Sequence, residues 1–427
     1  MALVVTAAGE SSVIDRRGVV RPVVPVQRVA DLTVSVSVAP VRLRIALIGT
    51  RGVPATYGGF ETAVEEVGKR LAARGHEVTV YCRTRADSDR PESHLGMKLV
   101  HLPAIRRRAL ETLSHSGLSA MHVAAMHSHD VGILFNAANA PFLPMLKAGG
   151  LAVATHMDGL EWRRDKWGRA GKRYYRMAEA LAVRWSDALI ADAPGISDYY
   201  RSEFGVGTEL ISYGAPILRN APIDRLAELG LRPGGFHLIV ARFEPENHVL
   251  LAVEGYLRSA ATEPLVVVGS APYSADYTRR IRELAATDPR VQLLGGIWDQ
   301  EKLDQLYAHA LTYVHGHSVG GTNPSLLRAM GAGTAVLAYD VNFNCQVLGK
   351  HCRVFRDAPG LARLLEAAER DRAATASAGA DLRERAERLY RWDDVALAYE
   401  DLCLRLSVRT ARSTSTGRRL SRSTALG

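Results

Sequence analysis

Three loops of this 427-residue chain hold the residue types that anion chemistry needs. The run GHSVGGTNPSLLRAMGAG (316–333) places Gly320, Gly321, Thr322 and Asn323 directly before an apolar segment. Asn323 is a good helix N-cap and Pro324 a good first helical residue, so a helix is predicted over 324–332 with Gly333 as its stop. Backbone amides without side chains, ahead of a helix N-terminus, suit a diphosphate. A simple capped helix is the alternative reading. GTRGVPATYGGFET (49–62) sets Gly58 and Gly59 before a second helix, and again bare backbone can approach an anion. A glycine turn that merely packs is the alternative there. ARFEPENH (241–248) supplies Arg242, whose guanidinium could hold phosphate through two hydrogen bonds. Glu244 and Glu246 are unfavourable neighbours for an anion, so they are expected to point away or to bind sugar hydroxyls.

The elements around these loops follow from hydrophobic patterning. LRIALIG (43–49) and EVTVYC (77–82) read as buried strands flanking a helix at 60–74. Further strands are predicted near 97–102, 131–135, 151–155, 188–191 and 208–212. The pattern then restarts, with strands at 236–243, 263–269, 291–296 and 311–316 and helices at 247–260, 274–286 and 299–309. Such alternation means parallel sheets covered by helices, here as two facing, doubly wound Rossmann-like α/β domains. All three loops leave the carboxyl ends of strands, where ligands sit in such sheets. Neither GxGxxG nor a Walker A sequence is present, which disfavours a nicotinamide dehydrogenase and a P-loop enzyme.

Composition narrows the function further. The net charge is +9, but residues 1–44 contribute +3 (six Arg, three acids) and 405–427 contribute +6 (six Arg, no acid), so the body is neutral. That argues against a nucleic-acid enzyme, whose basic stripe belongs on the folded body. The Ser/Thr/Arg-rich tail is read as disordered, either a solvated tail or one that touches anionic membrane. Cys82, Cys345, Cys352 and Cys403 form no CxxC pair, so neither a zinc site nor a disulfide framework is expected, and a cytoplasmic setting fits. The apolar run 132–155 is interrupted by Asn136, Asn139, Pro141, Pro144 and Lys147 and is a poor membrane span. Arg106, Arg107 and Arg108 precede an amphipathic helix with Leu110, Leu113, Leu118, Met121 and Ala125; peripheral docking at the inner membrane face competes there with an ordinary surface helix.

Taken together, GTRGVPATYGGFET, HMDGLEWRRDKW (156–167), SYGAP (212–216), ARFEPENH and HGHSVGGTNPSLL resemble the family 4 glycosyltransferases of GT-B fold, and more narrowly a bacterial rhamnosyltransferase-like branch of surface polysaccharide assembly. The resemblance covers about residues 43–404. It implies an acceptor-side domain at 43–215, a nucleotide-sugar domain at 216–390 and a crossover helix at 391–404, between an N-terminal extension (1–42) and a basic tail (405–427) both read as disordered. It further implies transfer with retention of configuration, from a nucleotide-sugar donor to a saccharide or lipid-linked saccharide, with no cofactor and no metal. The loosely DxD-like Asp87 and Asp89 are read as solvated.

Residue by residue, the resemblance assigns the donor diphosphate to Arg242, Gly58, Gly59 and the backbone of Gly320, Gly321, Thr322 and Asn323. His156 matches a histidine near the transferred sugar, although alone it could equally be a structural histidine. Tyr57, Asp158 and Glu161 are candidate acceptor binders. The chain also departs from the family. Arg328 stands where a ribose-binding Glu is usual, Gly320 where that Glu's partner is usual, and Asn247 and His248 where a Lys is common. Arg328 is therefore expected on the nucleoside side, as a phosphate or base contact for a different donor, or as the mark of a weakened transferase. Two further readings stand beside the transferase: a non-catalytic nucleotide-binding partner protein, and a nucleotide-sugar epimerase, for which no acid/base carboxylates are identifiable.

Overall fold

The computed structural model describes residues 41–423 apart from 56–57, 85–89, 106–109, 158, 165–166 and 271–273, with backbone alone from 409 onward, and N-terminal to these the backbone of three short strands. Those strands, β1 (Val4–Ala7), β2 (Glu10–Ile14) and β3 (Val20–Pro22), pair antiparallel within a unit of their own, Met1–Val41. The extension read as disordered thus contains a small meander. Val4, Val5, Val13, Ile14 and Val20 are β-formers, which is the local reason for it.

The second unit, Arg42–Gly427, holds two sheets. In the first half the chain alternates β4 (Arg44–Ile48), α1 (Gly59–Ala73), β5 (Glu77–Arg83), β6 (Ser93–His94), β7 (Met97–Leu102), α2 (Leu110–Met126), β8 (Val131–Phe135), α3 (Leu143–Ala148), β9 (Ala152–His156), α4 (Arg169–Trp185), β10 (Ala188–Ala191), α5 (Pro194–Phe204) and β11 (Glu209–Leu210). These strands form one sheet in the order β11-β10-β9-β8-β4-β5-β7-β6, parallel except at β6. Strands β8 and β9 are buried throughout, as a central parallel strand covered on both faces must be.

The second half continues with α6 (Asp224–Ala227), β12 (His237–Val240), α7 (Val249–Leu257), β13 (Leu265–Val268), α8 (Ala275–Ala285), β14 (Val291–Gly295), α9 (Gln300–His309), β15 (Thr312–His315), α10 (Pro324–Ala332), β16 (Ala335–Tyr339), α11 (Asn342–Leu348), β17 (Arg353–Phe355), α12 (Ala358–Arg370), α13 (Arg372–Leu389) and α14 (Trp392–Ser423). Its six strands are all parallel, in the order β14-β13-β12-β15-β16-β17. The order reverses between β12 and β15, so the loops after these two strands flank a switch point, where α/β sheets leave a crevice. Arg242 follows one strand and Gly320–Asn323 the other.

α14 begins where the crossover helix is expected and runs on to Ser423, so much of the tail read as disordered is helical in backbone. Its first turns return to the first half. Arg70 Nε pairs with Asp393 at 2.7 Å, Glu400 takes both Arg74 Nε (2.6 Å) and His76 Nε2 (2.8 Å), and Arg405 grips Glu209 with two bonds of 3.0 Å. Trp392, Val395, Tyr399, Leu402 and Leu406 bury the other side of the helix. A second correction concerns the thiols. Cys345 and Cys352 are bonded to each other, with Cα atoms 5.3 Å apart. The turn at Gly349 (φ +63°) folds the end of α11 back on itself and brings the pair together, which their spacing of seven did not disclose. Among the described residues no helix is long and apolar enough to cross a membrane.

Candidate active site

The loop after β15 is fixed from both ends. Asn323 Oδ1 accepts Ser325 N–H at 3.0 Å and the Ser325 hydroxyl at 2.7 Å, and Leu327 N–H closes the first helical turn on Asn323 O at 3.1 Å. The helix ends on Gly333 in the left-handed region (φ +78°), where a side chain would be strained. Leu326, Leu327, Ala329 and Met330 are buried and hold α10 against the sheet.

Ahead of this helix the two halves touch through bare backbone. A Cβ on Gly159 would lie 2.4 Å from Gly320 Cα, one on Gly59 2.9 Å from Pro324 Cγ, and one on Gly321 2.1 Å from Asp192 Oδ1. Thr322 Oγ1 donates to Asp192 O at 2.7 Å across the same seam. The glycines have a function that sequence reasoning did not assign them: they let the opposite half approach. Gly159 and Asp192, on the loops after β9 and β10, were missed because nothing local marks such a partner.

In the loop after β12, the two acids part ways. Glu244 accepts the Ser274 hydroxyl at 2.7 Å and is spent there. Glu246 turns inward, is 5% exposed, and has no hydrogen-bond donor on either carboxylate oxygen among the described residues. Arg242 is half-buried, and among the described residues its guanidinium meets no carboxylate within ion-pair distance. Asn247 and His248, standing where a Lys is common, brace this loop. Asn247 Nδ2 donates to Arg242 O at 2.9 Å; His248, at φ +50°, donates Nδ1–H to Gly316 O at 2.8 Å and stacks on Tyr339 at 3.9 Å. His317, at the start of the loop after β15, stacks on His315 at 4.5 Å. Burial first, then the charges of His315, Arg242, Arg164 and His248, push its pKa well down, so it is neutral. Arg242 and Arg164, from opposite halves, thus both act on this half-buried imidazole.

The first half offers a different surface. His156 ends β9, is 1% exposed, and stacks on Phe135 (5.5 Å) with Phe60 at its edge (5.1 Å) and Tyr213 at 5.9 Å. Burial pushes its pKa down to about 4, and Nδ1–H donates to Met157 O at 3.1 Å. Gly58, at φ +110°, starts α1 in a conformation that a side chain resists, and a Cβ there would strike Glu61. Glu61, which sequence reasoning passed over, accepts Arg51 N–H at 3.1 Å and so shapes the loop.

Two expected ligand residues are engaged elsewhere. Glu161 is buried, ion-paired with Arg164, and accepts Trp167 Nε1–H at 3.2 Å, so it orients Arg164 where an acceptor contact was expected. Arg328, expected on the nucleoside side, is ion-paired with Asp304 of the neighbouring helix α9. An acid one helix over captured it, which distance in sequence concealed. Tyr57 and Asp158 lie outside the described residues, as do Asp87, Asp89 and Arg106–Arg108.

Comparison with known proteins follows this layout. Residues 58–214 match the family described as a glycosyl transferase 4-like domain, and residues 237–371 match glycosyl transferases group 1. No curated protein matches the sequence. Among solved structures, sucrose-phosphate synthase from Thermosynechococcus elongatus is similar at a TM-score of 0.75 and 23% identity, covering 86% of this chain and all of that one. HepE of Anabaena in complex with UDP is similar at 0.65 and 16%, covering 88% of this chain and 100% of its own. An Escherichia coli structure described as trehalose-6-phosphate bound with UDP-2-fluoro glucose is similar at 0.63 and 11%, covering 85% and 99%. At these identities the likeness speaks for the fold, two facing Rossmann-like domains.

Proposed function

The chain joins a glycosyl transferase 4-like domain to a group 1 domain and is a glycosyltransferase, and from that premise we propose that it moves a sugar from a nucleoside diphosphate donor to a saccharide or lipid-linked saccharide with retention of configuration. The observation that carries this reading is the Arg242 guanidinium, half-buried without a carboxylate partner among the described residues, on the loop beside the capped N-terminus of α10. As the glycosidic bond breaks, the sugar gains oxocarbenium character and negative charge grows on the departing diphosphate. Arg242 and the helix dipole are already in place for that charge, so little reorganisation is needed. The glycine seam brings the halves together and excludes water, favouring transfer over hydrolysis. His156, neutral and walled by aromatic rings, presents a polar edge in an apolar recess, suited to orienting a sugar without competing for the phosphate. The donor phosphate itself takes the acceptor proton, so neither a nucleophilic carboxylate nor a metal is required.

Rhamnose is the leading sugar and surface polysaccharide the leading product, on the motifs that the chain shares with that branch. Product analysis with dTDP-rhamnose, UDP-glucose and GDP-mannose, using lipid extracts as acceptors, tests the reading. One donor should be consumed with its sugar appearing on the extract, and no transfer from any donor would refute it. The Arg328–Asp304 ion pair favours a second reading, a weakened transferase that binds nucleotide without turnover. Calorimetric titration with nucleoside diphosphates separates the two, since binding without product belongs to the second. For membrane contact, α2 exposes Leu110, Leu118, Met121 and Met126, an apolar edge suited to an anionic bilayer. Flotation with anionic vesicles at low salt should carry the protein upward, and its absence from the floated fraction would remove that contact.

A further inference from the structure

A buried carboxylate with no donor on either oxygen is costly, and among the described residues Glu246 is one. Its main chain is held firmly. Glu246 O accepts Ser318 N–H at 2.9 Å and the Ser318 hydroxyl at 3.0 Å, and Pro245 precedes it in a 3-10 turn. The side chain is therefore placed by a rigid turn and has not drifted inward from a mobile loop. Its compensating charge comes from the opposite half: Arg164 Nη1 stands 3.7 Å from Glu246 Oε1, close enough to attract but too far to hydrogen-bond. Arg164 is in turn fixed by its ion pair with Glu161. Four residues before Glu246 lies Arg242, likewise without a carboxylate partner among the described residues.

An acceptor-only carboxylate on the same short loop as a donor-only guanidinium calls for a ligand with hydroxyls close to an anionic group. A sugar phosphate has that pattern. Gly320, on the facing loop, brings no side chain to share the task. We infer that Glu246 reads the donor sugar: its carboxylate accepts hydrogen bonds from hydroxyls of the transferred sugar, and Arg164, reaching over from the other half, holds it aimed. The inference rests on the nucleotide-sugar reading above and adds the residue that distinguishes the sugar from the nucleotide carrying it. Because Arg164 and Glu246 belong to different halves, sugar recognition is complete only when the halves are together.

Titration calorimetry on the full chain tests this with matched ligands: UDP and UDP-glucose, dTDP and dTDP-rhamnose, GDP and GDP-mannose. Wild type should bind one nucleoside diphosphate and bind its sugar derivative more tightly. Glu246→Gln keeps the shape and removes the charge; affinity for the sugar nucleotide should fall roughly ten- to hundredfold while that for the parent diphosphate stays within about twofold. Arg164→Met should produce the same selective loss from the other half, and the double variant should lose little more, because the two act as a unit. It also supplies an independent reading if Glu246→Gln fails to fold. An unchanged sugar-to-parent ratio in both variants, or an equal loss for both ligands, would overturn the inference. Failure of wild type to bind any nucleoside diphosphate would sink the nucleotide-sugar reading itself.

Discussion

The two sides of the cleft solve different problems. At the end of β9 the first half builds a dry recess: His156 is neutral, caged by Phe60, Phe135 and Tyr213, and bonded to its neighbour's carbonyl. After β12 and β15 the second half gathers charge in Arg242 and Glu246, braced by Asn247 and His248. Even a carboxyl of the first half conforms. Burial pushes Glu179 on α4 up to about 7, with the Tyr199 hydroxyl donating to it at 3.1 Å. The charge that the first half does bring to the cleft, Arg164, reaches over to the other side. Shape and charge are thus divided between the halves, and their meeting combines the two.

The severest way to break this division is to take the charge from the second half. Arg242→Ala should lower kcat/KM by about a thousandfold, the scale of losing one preorganised donor at a charged transition state, with the thermal midpoint nearly unchanged; steady-state kinetics beside a thermal melt would show it. Gly159→Ala attacks the meeting itself, since the new methyl would fall on Gly320 backbone that has no flexible end to swing aside. It should cost about a hundredfold in kcat, the scale of a misplacement near 1 Å, while nucleotide affinity measured by calorimetry survives.

Weaker effects sharpen the contrast on the apolar side. Glu179 keeps its proton longer in the folded chain than in the unfolded one, where its pKa is near the ordinary 4.5. Stability from this group is therefore full below pH 4.5 and is lost as pH climbs through 7. Glu179→Gln should flatten that slope and stabilise the protein at pH 8 by about 2 kcal/mol, read from urea melts at several pH values. Smallest of all, Arg328→Ala removes a partly exposed ion pair and should cost about 1 kcal/mol or less in the same melts. A change in nucleotide preference by calorimetry would place Arg328 in recognition after all.

What the sequence discloses is local. The cap at Asn323, the proline after it and the stop at Gly333 define α10 to the residue, because each acts on its own neighbourhood. Strand and helix alternation is equally legible, and so is the place of Arg242 at a strand end. Residues 335–390 hold two strands and three helices that complete the second sheet. The missed features depend on partners far along the chain. Arg328 meets Asp304 on another helix, Arg164 meets Glu246 on the other half, and Gly159 meets Gly320. Cys345 and Cys352 show the same limit at short range, for their bond depends on how a turn folds back. Glycine in particular is ambiguous in sequence. The same bare backbone serves a phosphate or an approaching chain, and only the fold says which.

The seam at Gly59, Gly159 and Gly321 has a bearing on turnover. No side chain stands on the glycine's side of those contacts, but opening the halves after each reaction must also release Thr322 from Asp192 and Arg164 from Glu246. The Arg164–Glu246 pair carries charge that salt can screen, whereas the steric fit at Gly59 and Gly159 carries none.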